Sequence, residues 1–372
     1  MKVHNRSYSF FHFNLFLASF FGLFLALSCS KEPIRENPGD TNPDPPSATF
    51  DDGIFVVNEG NYNWGNATIT YIDNTTNTIE QDLFERVNQH GLGDVAQSMK
   101  VYKDMGFIVV NNSNRLEVVN IKDFKSIKSI EGFSSPRYIE IVDSTKAYVT
   151  NLRNDITVVN LRTLTISNTI KTNSWTEGII KYGKYIYVTC VGNFNEPNSN
   201  RHAQVLIIDT DKDRIIDSIQ TGKEPLAIVV DRKNSMWVLC TGGYDSYEPA
   251  SILRINPDLR IVEKVFNFQG ISGVPSKLCI NPTRDTIYYL KGGVYQMPVS
   301  SLSLPAQAFV TGDGHLFYGL DIHPKTGNIF VSDAVDYVQN GKAYQYSPKD
   351  GQLIHEYSTG RIPGSFCFSP AK

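Results

Sequence analysis

Cysteine is scarce, five in 372 residues, and no two form a C-x-x-C pair, which removes a closely spaced zinc ligand set and a dithiol redox motif. His90, His202, His315, His323 and His355 are scattered, with no H-x-x-x-H spacing, and no G-x-S-x-G elbow is present. We therefore assign no catalytic residue. His355 falls on an outer-strand pattern and is expected to be exposed; His323, at a strand end before Pro324, is expected to be structural. A net charge of −3 gives no basic excess, so nucleic acid is excluded as the main partner. No segment carries a convincing helical period, which argues against a helical repeat.

One long apolar run exists, Phe10 to Leu27, preceded by Lys2, His4 and Arg6 and followed by Ser28-Cys29. Basic start, apolar middle and small residue before the cut are the marks of a secretory signal. The cysteine makes it a lipoprotein signal of loose form, with Ala26 three places earlier, and argues against an uncleaved membrane helix. Residues 1–28 are thus expected to be removed and Cys29 lipidated. Residues 29–50, rich in Pro, Asn and Asp, read as a flexible tether. Cys190, Cys240, Cys279 and Cys367 lie inside apolar patterns and read as buried small hydrophobes; a Cys190–Cys240 disulfide stays open as a minor alternative.

What is present is a repeat. Phe55-Val-Val-Asn58, Ile108-Val-Val-Asn111, Tyr148-Val-Thr-Asn151, Tyr187-Val-Thr-Cys190, Trp237-Val-Leu-Cys240, Tyr288-Tyr-Leu-Lys291 and Phe330-Val-Ser-Asp333 are seven copies of one strand. Their spacings, 53, 40, 39, 50, 51 and 42, vary about the blade period of a propeller. The cleanest unit, residues 136–172, holds four β-branched, aromatic-rich strands separated by turn residues. The first copy has no strand before it, and Gly364-Ser-Phe-Cys-Phe-Ser-Pro370 resembles the innermost strands of other units. Residues 51–372 are therefore expected to form an all-β, seven-bladed β-propeller of four-stranded antiparallel blades, its ring closed by the C-terminal strand joining blade one.

Insertions into a repeat mark its working face. They fall between the second and third strands, at 59–66, 192–202, 242–249 and 333–340, all at one end of the ring. These loops carry Asn61, Tyr62, Trp64, Asn193, Phe194, Tyr244, Tyr247, Asp333 and Tyr337, and the inter-blade connections add Arg137, Trp175 and Phe317. Aromatic platforms ringed by amides suit a large ligand with a flat apolar surface and a polar rim. For any one residue, packing against neighbouring loops is an equal explanation, and Asn also serves turns of positive φ. Glu59, Asp94, Glu177 and Asp333 could line the ring's mouth and hold a metal, but turn capping and pairing with Arg explain them better, so no metal is assigned.

Tyr148-Val-Thr-Asn151 is the signature of the YVTN-type propeller family verbatim, and the resemblance covers roughly residues 50–370. Together with the anchor and tether, the chain resembles the BtuG surface lipoproteins of Bacteroidetes. That resemblance implies capture of cobalamin or related corrinoids on the loop face, an outer-membrane location facing the exterior, and hand-over to a TonB-dependent outer-membrane transporter. It transfers no ligand-contact residue. A surface glycan- or protein-binding module is the alternative, and a metal-dependent propeller lactonase stands third.

Overall fold

The structure is a computed structural model that describes residues 49–50, 52–192, 203–243, 248–269 and 273–369. Signal segment, tether and Cys29 thus lie outside the described residues, except for the last stretch of the tether. So do Asn193, Phe194, Tyr244, Tyr247 and His202.

Every one of the seven repeats is the second strand of a blade. In blade 1 it is Gly53–Asn58, hydrogen-bonded to Thr68–Asp73, which carries the two-residue outer strand Ile79–Glu80. In blade 3 the four strands are Pro136–Ile141, Lys146–Asn151, Asp155–Asn160 and Thr165–Lys171. Second strands read as unbroken apolar runs because each blade is sandwiched between two others and buries both faces; Gly53–Asn58 is buried at every position. Outer strands return to alternation, as in Ile261–Asn267 of blade 5. Between successive blades the apolar side chains gather into seven clusters. Phe55, Ile69 and Tyr71 meet Ile108 and Val110 between blades 1 and 2, and Phe330 meets Val56 and Phe366 between blades 7 and 1.

Ring closure is as expected. Pro363–Phe368 pairs antiparallel with Gly53–Asn58, in register Phe55↔Cys367 and Val56↔Phe366. Ser369 extends the seam, its N–H donating to the Gly53 carbonyl at 2.9 Å.

Two details depart from a uniform blade. Blade 6 has three strands, Ser276–Ile280, Thr286–Leu290 and Val294–Pro298. Among the described residues its outer edge is met by a bridge from Val294 to Val310, and Pro298, with no N–H to give, stands at that edge. A six-residue helix, Leu83–Asn88, follows the short outer strand of blade 1. It buries Leu83 and Phe84 in the core between blades 1 and 2, so packing holds a segment too short to be helical alone. The four described cysteines are free and buried; no disulfide joins Cys190 to Cys240. Burial pushes both thiols up to about 12.

Candidate functional site

The upper face, as defined here, carries the loops between second and third strands and the links between blades. At this end every innermost strand has a break in register. It lies between Ala96 and Ser98, Pro136 and Ile139, Thr176 and Ile179, Pro225 and Ala227, Ser276 and Leu278, and Phe317 and Leu320, and opposite Val57 and Asn58 in blade 1. A bulge re-aims the side chains beside it. Seven in a ring place Gln97, Arg137, Glu177, Lys277 and Tyr318 at the channel mouth.

There they form two linked networks. Arg137 makes a bidentate pair with Glu177 of the next blade, at 2.6 and 2.7 Å, and its third arm donates to the Gln97 side chain of the previous blade. Across the ring, Tyr318 donates to Glu59 at 3.0 Å, and Lys277 lies 5.5 Å from the Tyr318 ring centre while donating to the Gly364 carbonyl. Gly364 leaves room for the Glu59 side chain here: a Cβ would fall 2.4 Å from Glu59 Oε1 and displace it. Burial raises the Glu59 carboxyl above the usual range, against the pull of Lys277, the Tyr318 hydroxyl and Arg137. Below the mouth, burial in the channel wall lifts Asp321 to about 6.

Among the described residues, the large exposed apolar side chains around the mouth share one region. Val274, Leu316, Val335, Val338, Tyr337, Tyr62 and Trp64 are exposed, and all belong to the loops of blades 6, 7 and 1; Trp64 is 76% and Tyr62 67% accessible. Val335 and Tyr337 both hold positive φ, +57° and +62°, a costly conformation for a β-branched and a bulky residue. Asp333 holds that turn. Its Oδ1 accepts the N–H groups of Leu316 and Val335, at 3.0 and 2.8 Å, and its Oδ2 faces His315 Nδ1 at 2.9 Å.

The expected site residues therefore divide. Tyr62, Trp64 and Tyr337 form the exposed apolar arc, and Arg137 sits at the mouth. Asn61 ties loops together, donating to the Tyr337 carbonyl at 2.7 Å, and Phe317 is partly buried, stacked under His315. Trp175 begins the inner strand of blade 4 at the same end, paired with Val191. Asp333 is buried and serves the loop. The four carboxylates do not converge: Glu177 is taken by Arg137, Glu59 by Tyr318, Asp333 by His315, and Asp94 by Asn63 and Asn112. Among the described residues no cluster of three His, Cys, Asp or Glu could hold a metal ion. Sequence reasoning missed Gln97, Lys277, Tyr318 and His315; their one shared signal is position, at or just before the start of an innermost strand. His323 is structural as expected, its Nδ1 accepting the N–H groups of Lys325 and Thr326. His355 lies on the outer strand Leu353–Arg361 of blade 7 but is half-buried beside Tyr357.

Fold and face define a seven-bladed β-propeller with a polar, bulge-built mouth and, among the described residues, an exposed apolar arc on the loops of blades 6, 7 and 1. The chain belongs to the family described as a domain of unknown function, DUF5074, which matches residues 52–360. No curated protein matches it in sequence. Among solved structures it is similar to a quinonprotein alcohol dehydrogenase-like protein from Bacteroides thetaiotaomicron, at 18% identity, covering 87% of this chain and 79% of that one with a TM-score of 0.67. A functionally unknown protein from Desulfotomaculum acetoxidans is similar at 16% identity over 85% and 98% of the two chains, TM-score 0.61. Hydrazine synthase of Kuenenia stuttgartiensis follows at 16% identity over 74% and 90%, TM-score 0.58. At these identities the likeness concerns the fold.

Proposed function

We propose that this propeller captures a large, flat, amide-rimmed small molecule on its upper face, and that the molecule is a corrinoid. The observation that carries this is the apolar arc from Val274 to Trp64 beside a mouth of charged and amide groups. A corrin macrocycle offers a broad apolar surface to Tyr62, Trp64 and Tyr337, and primary amides to the mouth. The mouth's charges are spent on one another rather than activating a nucleophile, so the reading is binding and not catalysis. A closed ring presents its loops already ordered, which lowers the entropic cost of binding. Anchored through Cys29 in the outer membrane and facing the exterior, the protein would pass its ligand to a TonB-dependent transporter.

Calorimetric titration of the purified full chain with cyanocobalamin and with cobinamide tests this. Tight one-to-one binding supports it; absence of heat with both ligands overturns it. In that case a polysaccharide array is the next measurement, because the exposed Trp64 is equally a platform for a sugar ring.

A further inference from the structure

His315 has the construction of a metal ligand without the companions a free metal ion needs. Its Nδ1 meets Asp333 Oδ2 at 2.9 Å, and Asp333 is itself fixed through Oδ1 by two backbone N–H groups. A carboxylate can only accept, so in the neutral imidazole the proton sits on Nδ1 and Nε2 carries the lone pair. The ring is clamped: it stacks on Phe317 with 3° between planes, 5.3 Å between centres, and meets Tyr344 edge-on at 5.0 Å. Its side chain is 34% accessible, and Nε2 has no hydrogen-bond partner among the described residues. An imidazole held by a carboxylate at one nitrogen and open at the other is the usual arrangement for metal ligation. Yet among the described residues no group of three His, Cys, Asp or Glu side chains gathers there. A single donor suits a metal whose other positions are filled by the molecule that carries it. His315 also stands within the apolar arc, next to the exposed Leu316.

We infer that His315 Nε2 coordinates the metal of the captured ligand, a cobalt corrinoid, as an axial ligand. This rests on the capture reading above. The step is a ligand exchange: the bond from cobalt(III) to an axial water breaks, a bond from cobalt to Nε2 forms, and water leaves. No electron is transferred, and the Nδ1 proton stays against Asp333. The Asp333 carboxylate is then a positioning group, and the aromatic and aliphatic arc supplies the remaining contact.

The test follows absorption spectra and heats while the full chain is titrated with diaquocobinamide and, separately, with dicyanocobinamide, whose axial places are both filled. The expected result is a shift of the corrin bands with the diaquo form, and binding of the dicyano form at least about tenfold weaker. His315→Phe, which keeps a ring over Phe317, should abolish the shift and remove the preference between the two forms. No binding of either form overturns the capture reading and this inference with it. Binding of both with equal affinity and an unshifted spectrum overturns this inference alone. A shift that survives in His315→Phe assigns the cobalt to another group and likewise overturns it. Were His315→Phe not to fold, the comparison of the two cobinamides on the wild-type chain decides the matter.

Discussion

The two faces of the ring are made from turns of the same blades, and both repeat left-handed residues, but one upper loop adds strain of its own. On the lower face the link from third to outer strand is one turn used again and again. Asp73, Asn120, Asn160, Asp209 and Asn256 each accept N–H groups from residues two or three further on. A residue one or two places before the outer strand then takes a left-handed φ, whether it is Asn77, Phe124, Leu164, Asp213, Arg260 or Gly351. Strand pairing imposes that geometry, and the side chain follows it. On the upper face the links into innermost strands repeat a left-handed residue too, at Val95, Ser135, Glu224 and Ile362, whereas Val335 and Tyr337 hold comparable conformations inside the enlarged second-to-third-strand loop of blade 7, beside exposed aromatics. Strain that serves the frame recurs with the repeat; the strain at Val335 and Tyr337 stands where the repeat is enlarged.

That contrast can be broken experimentally, and the frame should give the largest effect. Phe55, fully buried and stacked on Phe124 at 5.2 Å, belongs to the frame: Phe55→Ala is expected to cost about 3–5 kcal/mol in urea unfolding. Trp64→Ala should do the reverse, leaving unfolding within about 0.5 kcal/mol while weakening cyanocobalamin binding by about 2 kcal/mol or more, read by calorimetry. Equal effects of the two variants on stability would erase the distinction between frame and face.

The channel between the faces offers a third handle. Asp321, lifted to about 6 from an ordinary 3.8, binds its proton more tightly folded than unfolded. The folded chain therefore holds more protons between those values, and stability falls as pH rises through that window. Asp321→Asn removes the penalty and should raise stability at pH 7 by about 3 kcal/mol, with little change at pH 3.5, in melts across pH. Smallest is the lower turn. Asn160 accepts from Arg162 and Thr163, so Asn160→Ala should cost about 1 kcal/mol in unfolding and leave cyanocobalamin affinity unchanged.

Much of the frame was legible because burial on both sides leaves a continuous apolar signature. Tyr148-Val-Thr-Asn151 and its relatives mark second strands, and the likeness of residues 364–370 to inner strands foretold closure. Leu83–Asn88 escaped because six residues are too few to show a period, and the missing outer strand of blade 6 escaped because repeats do not announce where they fail. In the site, loop positions could be read but commitments could not. Asn61 is spent on Tyr337 and Glu59 on Tyr318, partners 276 and 259 residues away, and Phe317 became a floor for His315. Hydrogen bonds that cross the closure seam have no local trace in the chain.

The seam has a consequence in time. Blade 1 supplies its outer three strands before any other blade is made and receives its innermost strand, Pro363–Phe368, only after the other six have emerged. Until then Gly53–Asn58 presents an unpaired edge, and a nascent chain is an open arc that any free strand could extend. The first blade begun is the last completed, so an interrupted chain forfeits its beginning along with its end.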